Sequence, residues 1–291
     1  MTIPTGWQSA GLDWVAIWRD MYDRERAQGE AATHPDMERS ADQYATAAAR
    51  FARNVKRVPQ PDAFMQWLLP QLTVGDRVLD IGAGSGRYLP PLAAAGCDVI
   101  ALEHSPAMRT QIDLLVQTAQ LPRVTTIADT WPTTPLVQCD VAFAVHVLYA
   151  VRDIAPFLRA MDASANKLCV LVLGLRHPTT AVLPLWQAWH GEPRLPLPAA
   201  HECMAALAQL GIVANLTVLP VTTPISYANE AEAVAEMCFR LRLPYDDVHQ
   251  QQIATLITRE WQMSISGEVI VPLLPPPNCV IWWYPTKTTV V

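Results

Sequence analysis

The sequence predicts an α/β protein built on a parallel sheet with helices packed on both faces. Three observations carry that expectation. Short apolar runs of four to nine residues alternate with helix-type periods between Thr73 and Leu175, the pattern of strands buried on both sides. A glycine-rich turn, "GAGSG", separates the first such run from the first helix behind it. Hydrophobic residues make up 51% of the 291 residues and charged ones only 16%, which is enough for a large core and too apolar for a disordered chain.

The elements follow in order. The first seventy residues read as helices. Trp14, Trp18 and Met21 recur at helical spacing after Asp13, and Ser40 with Gln43 forms a capping box ahead of Tyr44, Ala47, Ala48, Phe51 and Val55. "DAFMQWLLPQL" is a third, short helix ending near Pro70. "RVLDIGAG" is then a strand and turn. "RYLPPLAAAG" is a helix that tolerates its two prolines only in the first turn and stops at Gly96. "DVIALE" is a strand, and "SPAMRTQIDLLVQTA" is a helix capped by Ser105 with Pro106 at its first position. "VTTIAD" and "CDVAFAVHV" are strands. "RDIAPFLRAMDASA" is a helix capped by Asp153, and "KLCVLVLGL" is a buried strand. Beyond it lie an aromatic segment among prolines, "LPLWQAWHG", a helix "AAHECMAALAQLG" and a strand "IVANLTVLPV". Two further helices, "NEAEAVAEMCFRLRL" and "DDVHQQQIATLITREW", precede a last strand, "NCVIWWYP". Trp282 and Trp283 are adjacent in that strand and must point to opposite faces, so at most one can face a pocket.

The totals exclude several classes. A net charge of −6 argues against nucleic acid as a partner, because phosphate binding needs a basic face. The longest apolar run, around Val141–Val151, holds a histidine and is too short to span a bilayer, so no membrane role is expected. The opening "MTIPTGWQSAGLDW" has no secretory-signal pattern. The six cysteines lie 30 to 42 residues apart with no C-x-x-C, which reads as reduced core thiols in a cytoplasmic protein. No metal site is expected, since no H-E-x-x-H or tight His/Cys cluster exists.

The glycine turn is the chemical signal. A phosphate loop is excluded because the chain contains no Gly-Lys pair. The dinucleotide pattern G-x-G-x-x-G requires glycine at position 87, where the chain has Arg87. What stands there is G-x-G-x-G at Gly82, Gly84 and Gly86, preceded by Asp80. An acidic residue ahead of the turn disfavours a diphosphate and suits a cation. Glu103 closes the next strand, where a carboxylate can accept both hydroxyls of a ribose.

In "VGDRVLDIGAGSGRYL", "VIALEHSPAM", "IAD" (127–129), "CDVAFAVHVLYAVRDIAPFLRAM" and "KLCVLVLGL", the chain resembles the class I S-adenosylmethionine-dependent methyltransferases, especially the broad type 11-like group acting on small molecules. The likeness covers Thr73 to Leu175 well and reaches loosely to the last strand. It implies a Rossmann-like, doubly wound, mostly parallel seven-stranded sheet with an antiparallel last strand, an N-terminal helical cap and helical insertions. It divides the chain into a cap or lid over 1–72, a cofactor-binding core over 73–175, and a C-terminal part over 176–291 that completes the sheet and covers the substrate pocket.

The same resemblance implies S-adenosyl-L-methionine as cofactor, with Asp80, Gly82, Ala83 and Gly84 at its methionine part. Gly86 lets the helix begin close to the strand. Glu103 takes the ribose hydroxyls, His104 lines the adenine, Asp129 bonds the adenine amino group, and Thr130 and Trp131 lie beside the ring. Ala144, Val145 and His146 end the fourth strand, facing cofactor and acceptor. His146 is a candidate either to orient the cofactor or to act as general base, with Tyr149 beside it, and the acceptor is a small, fairly hydrophobic molecule with an oxygen or nitrogen nucleophile. Two other readings stay open: a nicotinamide-dependent oxidoreductase on a similar sheet, and a non-catalytic module with the same loop.

Overall fold

The structure is a computed structural model that describes residues 11–37, 61–177, 180, 183–221 and 224–286. The helix expected over 40–55 lies outside the described residues. Seven strands form the main sheet: β1 (Arg77–Ile81), β2 (Asp98–Leu102), β3 (Val124–Ile127), β4 (Cys139–Val145), β5 (Ala165–Gly174), β6 (Asn215–Val218) and β10 (Asn278–Trp283). Their order is β3-β2-β1-β4-β5-β10-β6. The first five run parallel, and β10 runs antiparallel to both β5 and β6. The chain direction across the sheet reverses between β1 and β4. Their carboxyl ends therefore open into the crevice where ligands bind in such sheets.

Alternation along the strands splits the core into two layers. Leu79, Ile81, Ile100, Leu102 and Ala142 face one way. They pack against α1 (Trp14–Ala31), α5 (Ile154–Ser164) and α7 (Ala200–Gln209). Val78, Val99, Ala101, Val141 and Phe143 face the other way, onto α2 (Ala63–Leu68), α3 (Leu89–Ala94) and α4 (Pro106–Ala119). Both faces are dry, which is why these strands are near-continuous apolar runs in the sequence. A third cluster joins α6 (Leu183–His190), α8 (Glu230–Arg240) and α9 (Asp247–Glu260). These helices pack on a small sheet of β7 (Ser226–Tyr227), β9 (Val269–Ile270) and β8 (Gln262–Met263) that the sequence pattern did not announce.

Most local expectations hold, with instructive departures. Ser105 accepts from Met108 N and caps α4, and Pro90 and Pro91 fall in the first turn of α3. Gly96, just past α3, takes φ +82°, a conformation that suits a residue without Cβ. Asp153 stands at the start of α5 but makes no capping hydrogen bond. Its carboxylate instead pairs with Arg19 of α1 at 2.7 Å and with Arg152 at 3.5 Å, because two guanidinium groups outcompete a neutral amide. The aromatic segment is a helix, α6. Neither tryptophan of β10 reaches the crevice. Trp283 donates to Asp162 Oδ1 at 2.9 Å, and Trp282 packs on Trp67 and Tyr284.

The N-terminal helix is built into this frame. Asp13 caps α1 and accepts from Gln209 of α7 at 2.8 Å. Trp18 is fully buried, and its Nε1 donates to Val151 O at 2.8 Å, just beyond β4. Asp23 takes both arms of Arg152 at 2.7 Å. Trp18→Ala should therefore cost about 3–5 kcal/mol, the usual loss for a buried tryptophan. Trp18→Phe, which keeps most of the volume and loses the hydrogen bond, should cost about 1–2 kcal/mol. Urea unfolding checks both, and equal losses would show that the hydrogen bond matters more than the packing.

Candidate active site

The turn after β1 gives its three glycines three different tasks. Gly82, Gly84 and Gly86 all take positive φ, +73°, +57° and +85°. Gly82 N and Ala83 N donate to Leu102 O at 2.8 and 3.1 Å, which ties the turn to the end of β2. A Cβ on Gly82 would lie 2.7 Å from Val147 Cγ2, so the segment after β4 packs directly on the turn. A Cβ on Gly86 would lie 2.9 Å from both Leu115 Cδ2 and Leu89 Cδ1, so this glycine lets α3 and α4 close in. Gly84 has nothing within 4 Å of that position. Its side of the turn is open to a ligand.

Two acids flank the opening. Asp80 is 2% exposed, and its Oδ2 is buried without a hydrogen-bond partner. Burial, followed by the charge of Glu103, pushes its carboxyl well above the usual carboxylate range. Glu103 is also buried, but it is partnered: Oε2 accepts from Gly84 N at 2.9 Å and Oε1 from Ser105 N at 2.8 Å. Each oxygen keeps lone-pair capacity for a further donor. His104 is exposed, with Nδ1 3.3 Å from Glu103 Oε1.

Sequence reasoning missed Asp62. Its Oδ1 caps α2 by accepting from Met65 N at 2.9 Å, and its Oδ2 holds Arg87. The guanidinium of Arg87 lies over the ring of Tyr88, 5.3 Å from its centroid. Arg87, the departure from the dinucleotide pattern, is thus turned to α2 rather than to Asp80. No local signal marks this pair, since its members stand 25 residues apart.

Asp129 is exposed and accepts from Thr130 N at 2.7 Å. Trp131 donates to Phe157 O at 3.2 Å and meets the Phe157 ring edge-on at 6.2 Å, which fixes its indole against α5. These residues follow β3, at the same carboxyl edge as the glycine turn.

At the end of β4, Ala144 is buried and Val145 half-buried. His146 adopts φ +58°, a strained conformation for a residue with Cβ, and is held there by its N–H donating to Val172 O at 2.9 Å. Its ring stacks on Tyr149 at 5.9 Å, and Tyr149 meets His177 edge-on at 4.4 Å. The Tyr149 hydroxyl accepts from Gly174 N at 2.7 Å, and burial pushes its pKa upward. Burial and the charge of Arg87 push His146 down to about 4, and burial with several arginines pushes His177 down to about 3. His146 is exposed, so water offsets part of that burial, and what stands is the direction of its shift, toward the neutral form. No motif or spacing in the sequence marks His177.

The residues singled out from the sequence thus gather at one edge. Asp80, the glycines and Glu103 surround an opening at the ends of β1 and β2, with His146 and Tyr149 across from them on the segment that touches Gly82. A depression of about 370 Å³ lined by Glu230, Gln251, Thr255, Thr258 and Arg259 lies on α8 and α9 instead and includes none of these groups.

A family model described as a methyltransferase domain matches residues 44–209. A Haemophilus influenzae protein described only as uncharacterized is 36% identical over 129 residues, covering 41% of this chain and 45% of that relative, less than half its length. A chain from the complex between the Haloferax volcanii Trm112 methyltransferase activator and the putative methyltransferase superimposes with a TM-score of 0.52 at 14% identity, covering 85% of this chain and 99% of that one. A putative methyltransferase of Bacillus halodurans does so with a TM-score of 0.51 at 10% identity, covering 77% and 98%. At such identities the likeness is one of fold.

An unpartnered buried carboxylate weakens the fold that contains it. Asp80→Asn should stabilise the protein at pH 7 by about 1–3 kcal/mol, the range for relieving such a group. Because the folded-state pKa is raised, this gain should shrink as pH falls toward the ordinary carboxylate value. Thermal melts at pH 7 and pH 4 check this, and an Asp80→Asn protein less stable than the native one at pH 7 would contradict it.

Proposed function

The chain belongs to the methyltransferase-domain family, and we infer its function from that membership together with the geometry of the turn. In this reading the protein binds S-adenosyl-L-methionine at the glycine turn and transfers its methyl group to a small molecule. The observation that carries it is Asp80, a buried acid with a free oxygen beside an open stretch of backbone at Gly84. A cationic amino-acid end with its ammonium group answers that oxygen, and a diphosphate would be repelled by it.

The remaining residues fit the rest of such a ligand. Glu103 has the lone pairs to take ribose hydroxyls while staying anchored to Gly84 N and Ser105 N. Asp129, Thr130 and Trp131 stand at the neighbouring strand end, where the adenine would lie, and His104 is exposed beside Glu103.

When bound, the cofactor supplies a sulfonium methyl that is already activated for in-line displacement. The protein's own part is alignment and proton handling. Ordering the two reactants can lower the barrier by about 7–11 kcal/mol. His146, at the end of β4, would be placed to take the proton that an oxygen or nitrogen nucleophile of the acceptor gives up. Tyr149 stacks on that ring and is itself fixed by Gly174 N, so it positions the base.

The acceptor side supports a small molecule. The helix α1 crosses the segment after His146, and its continuation meets the C-terminal helices through His34 N donating to Arg242 O at 2.9 Å. In this reading α1, α8 and α9 form a cover over an apolar crevice, the expected shape for a small ligand rather than a polymer. Six buried cysteines without disulfides suit a reducing, cytoplasmic setting. No helix among the described residues is long and apolar enough to cross a membrane.

His146→Asn should lower kcat about 10²–10⁴-fold, the usual contribution of a general base. Affinity for S-adenosylhomocysteine should stay within about two-fold, well under the ~1.4 kcal/mol that a tenfold change represents. Turnover with labelled cofactor on a panel of phenols and amines, with calorimetry alongside, checks this. Unchanged kcat at saturating cofactor would remove the base role, and no binding of S-adenosylhomocysteine by the native protein would remove the function.

A further inference from the structure

Behind His177 the protein concentrates positive charge. Four arginines from distant parts of the chain converge there: Arg26 on α1, Arg194 after α6, and Arg240 and Arg242 at the end of α8. A Cβ on Gly29 would lie 2.8 Å from Arg194 Nη2 and 3.3 Å from Arg242 Nη2, so these two guanidinium groups crowd one spot above α1. The charges of Arg240, Arg194 and Arg26 all reach His177.

Acids answer only part of this charge. Arg194 pairs with Glu25, and both side chains are about a tenth exposed. Arg240 pairs with Glu236. Glu25 and, after it, Glu30 also act on Arg242, neither through an ion pair. Among the described residues, neither Arg26 nor Arg242 has a salt bridge, and the Nε of Arg26 is buried without an acceptor. Burial and the neighbouring arginines hold both Arg194 and Arg242 below their ordinary range.

A cluster of half-buried like charges costs stability unless something neutralises it. The backbone is adapted to it as well. Gly29 sits inside α1, where glycine costs about 0.5–1 kcal/mol relative to alanine, and its bare Cα leaves room for the two guanidinium groups. Arg242 itself takes φ +61°. A fold spends such concessions where it binds something.

We propose that the acceptor carries an oxyanion, a carboxylate or a phosphate, and that Arg26 and Arg242 grip it at the inner end of the crevice, past His177. The link to an acceptor rests on the methyltransferase reading, whereas the anion site stands on its own residues. The planar forks of arginine bind such oxyanions with two parallel hydrogen bonds. His146 stacks on Tyr149 and Tyr149 meets His177 edge-on, so the three rings form a row whose far end lies within the field of the arginines. An anion held there would leave the other end of a small molecule beside the proposed base.

The ring of Trp186 lies 4.1 Å below the Arg194 guanidinium and provides a reporter. The full chain is titrated with phenylacetate, with inorganic phosphate, with phenylacetamide as the uncharged counterpart, and with chloride as an ionic-strength control. Tryptophan emission and melting temperature are both recorded. Phenylacetate or phosphate should give a saturable change that the amide and chloride do not, and the stronger of the two identifies the oxyanion. Arg26→Gln and Arg242→Gln should each weaken that response at least tenfold while melting at or above the native temperature, since like-charge repulsion is relieved. The proposal falls if neither anion saturates beyond the chloride control, or if the variants melt several degrees lower with anion binding intact. Calorimetry with S-adenosylhomocysteine on the same samples separates the two readings. Donor binding without anion binding overturns this proposal alone, whereas anion binding without donor binding overturns the cofactor assignment and the acceptor role but leaves the anion site standing.

Discussion

A carboxylate buried at the end of the central strand with one oxygen unanswered is the constraint around which the site is arranged. Asp80 is buried from solvent, and no cation among the described residues pairs with it. Arg87 is close in sequence, but Asp62 holds its guanidinium and keeps it from neutralising the acid. Glu103 adds like charge, while its own oxygens are fixed by the amides of Gly84 and Ser105. The result is an acidic turn with open backbone and rigid edges, whose buried acid an arriving cation would favour in its ionised form. That combination selects a cationic ligand over a phosphate, and it separates this turn from the glycine loops that use helix N-termini to hold anions.

The second organising feature is the reach of α1. Trp18, Arg19 and Asp23 fasten it to the segment that follows β4, and Gln28 fastens it to the loop holding Arg194. One helix thereby joins the edge bearing His146 to the C-terminal helices. Any movement of α1 would therefore shift the segment after β4 and the Arg194 loop together. The strained backbone at His146 belongs to the same arrangement, since its amide is fixed to β5 while its side chain stands at the strand ends.

The sheet was legible because its strands are buried on both faces and punctuated by glycine, proline and capping residues whose effects are local. The Gly82–Gly84–Gly86 turn and Glu103 were legible for the same reason. The roles within the turn needed coordinates: only packing shows that Gly86 admits Leu115 and Leu89 while Gly84 faces open space. Asp62, His177 and the arginines come from segments far apart in the chain, and single residues at such separations leave no periodic trace. The strands β7, β8 and β9 are two residues long and gain their identity from pairing alone. Asp153 looked like a helix cap, and two nearby arginines gave its carboxylate a better use.

The most direct measurement is the proton count on ligand binding. Calorimetry of S-adenosylhomocysteine at pH 6, in buffers of different ionisation enthalpy, yields that number. A raised Asp80 pKa means that the unliganded acid holds its proton to higher pH than usual, and an arriving ammonium group expels it. Native protein should therefore release protons on binding and bind more tightly as pH rises, and Asp80→Asn should bind weakly with no such release. Equal proton counts in the two proteins, or native affinity retained by Asp80→Asn, would show that the ligand does not sit on this acid.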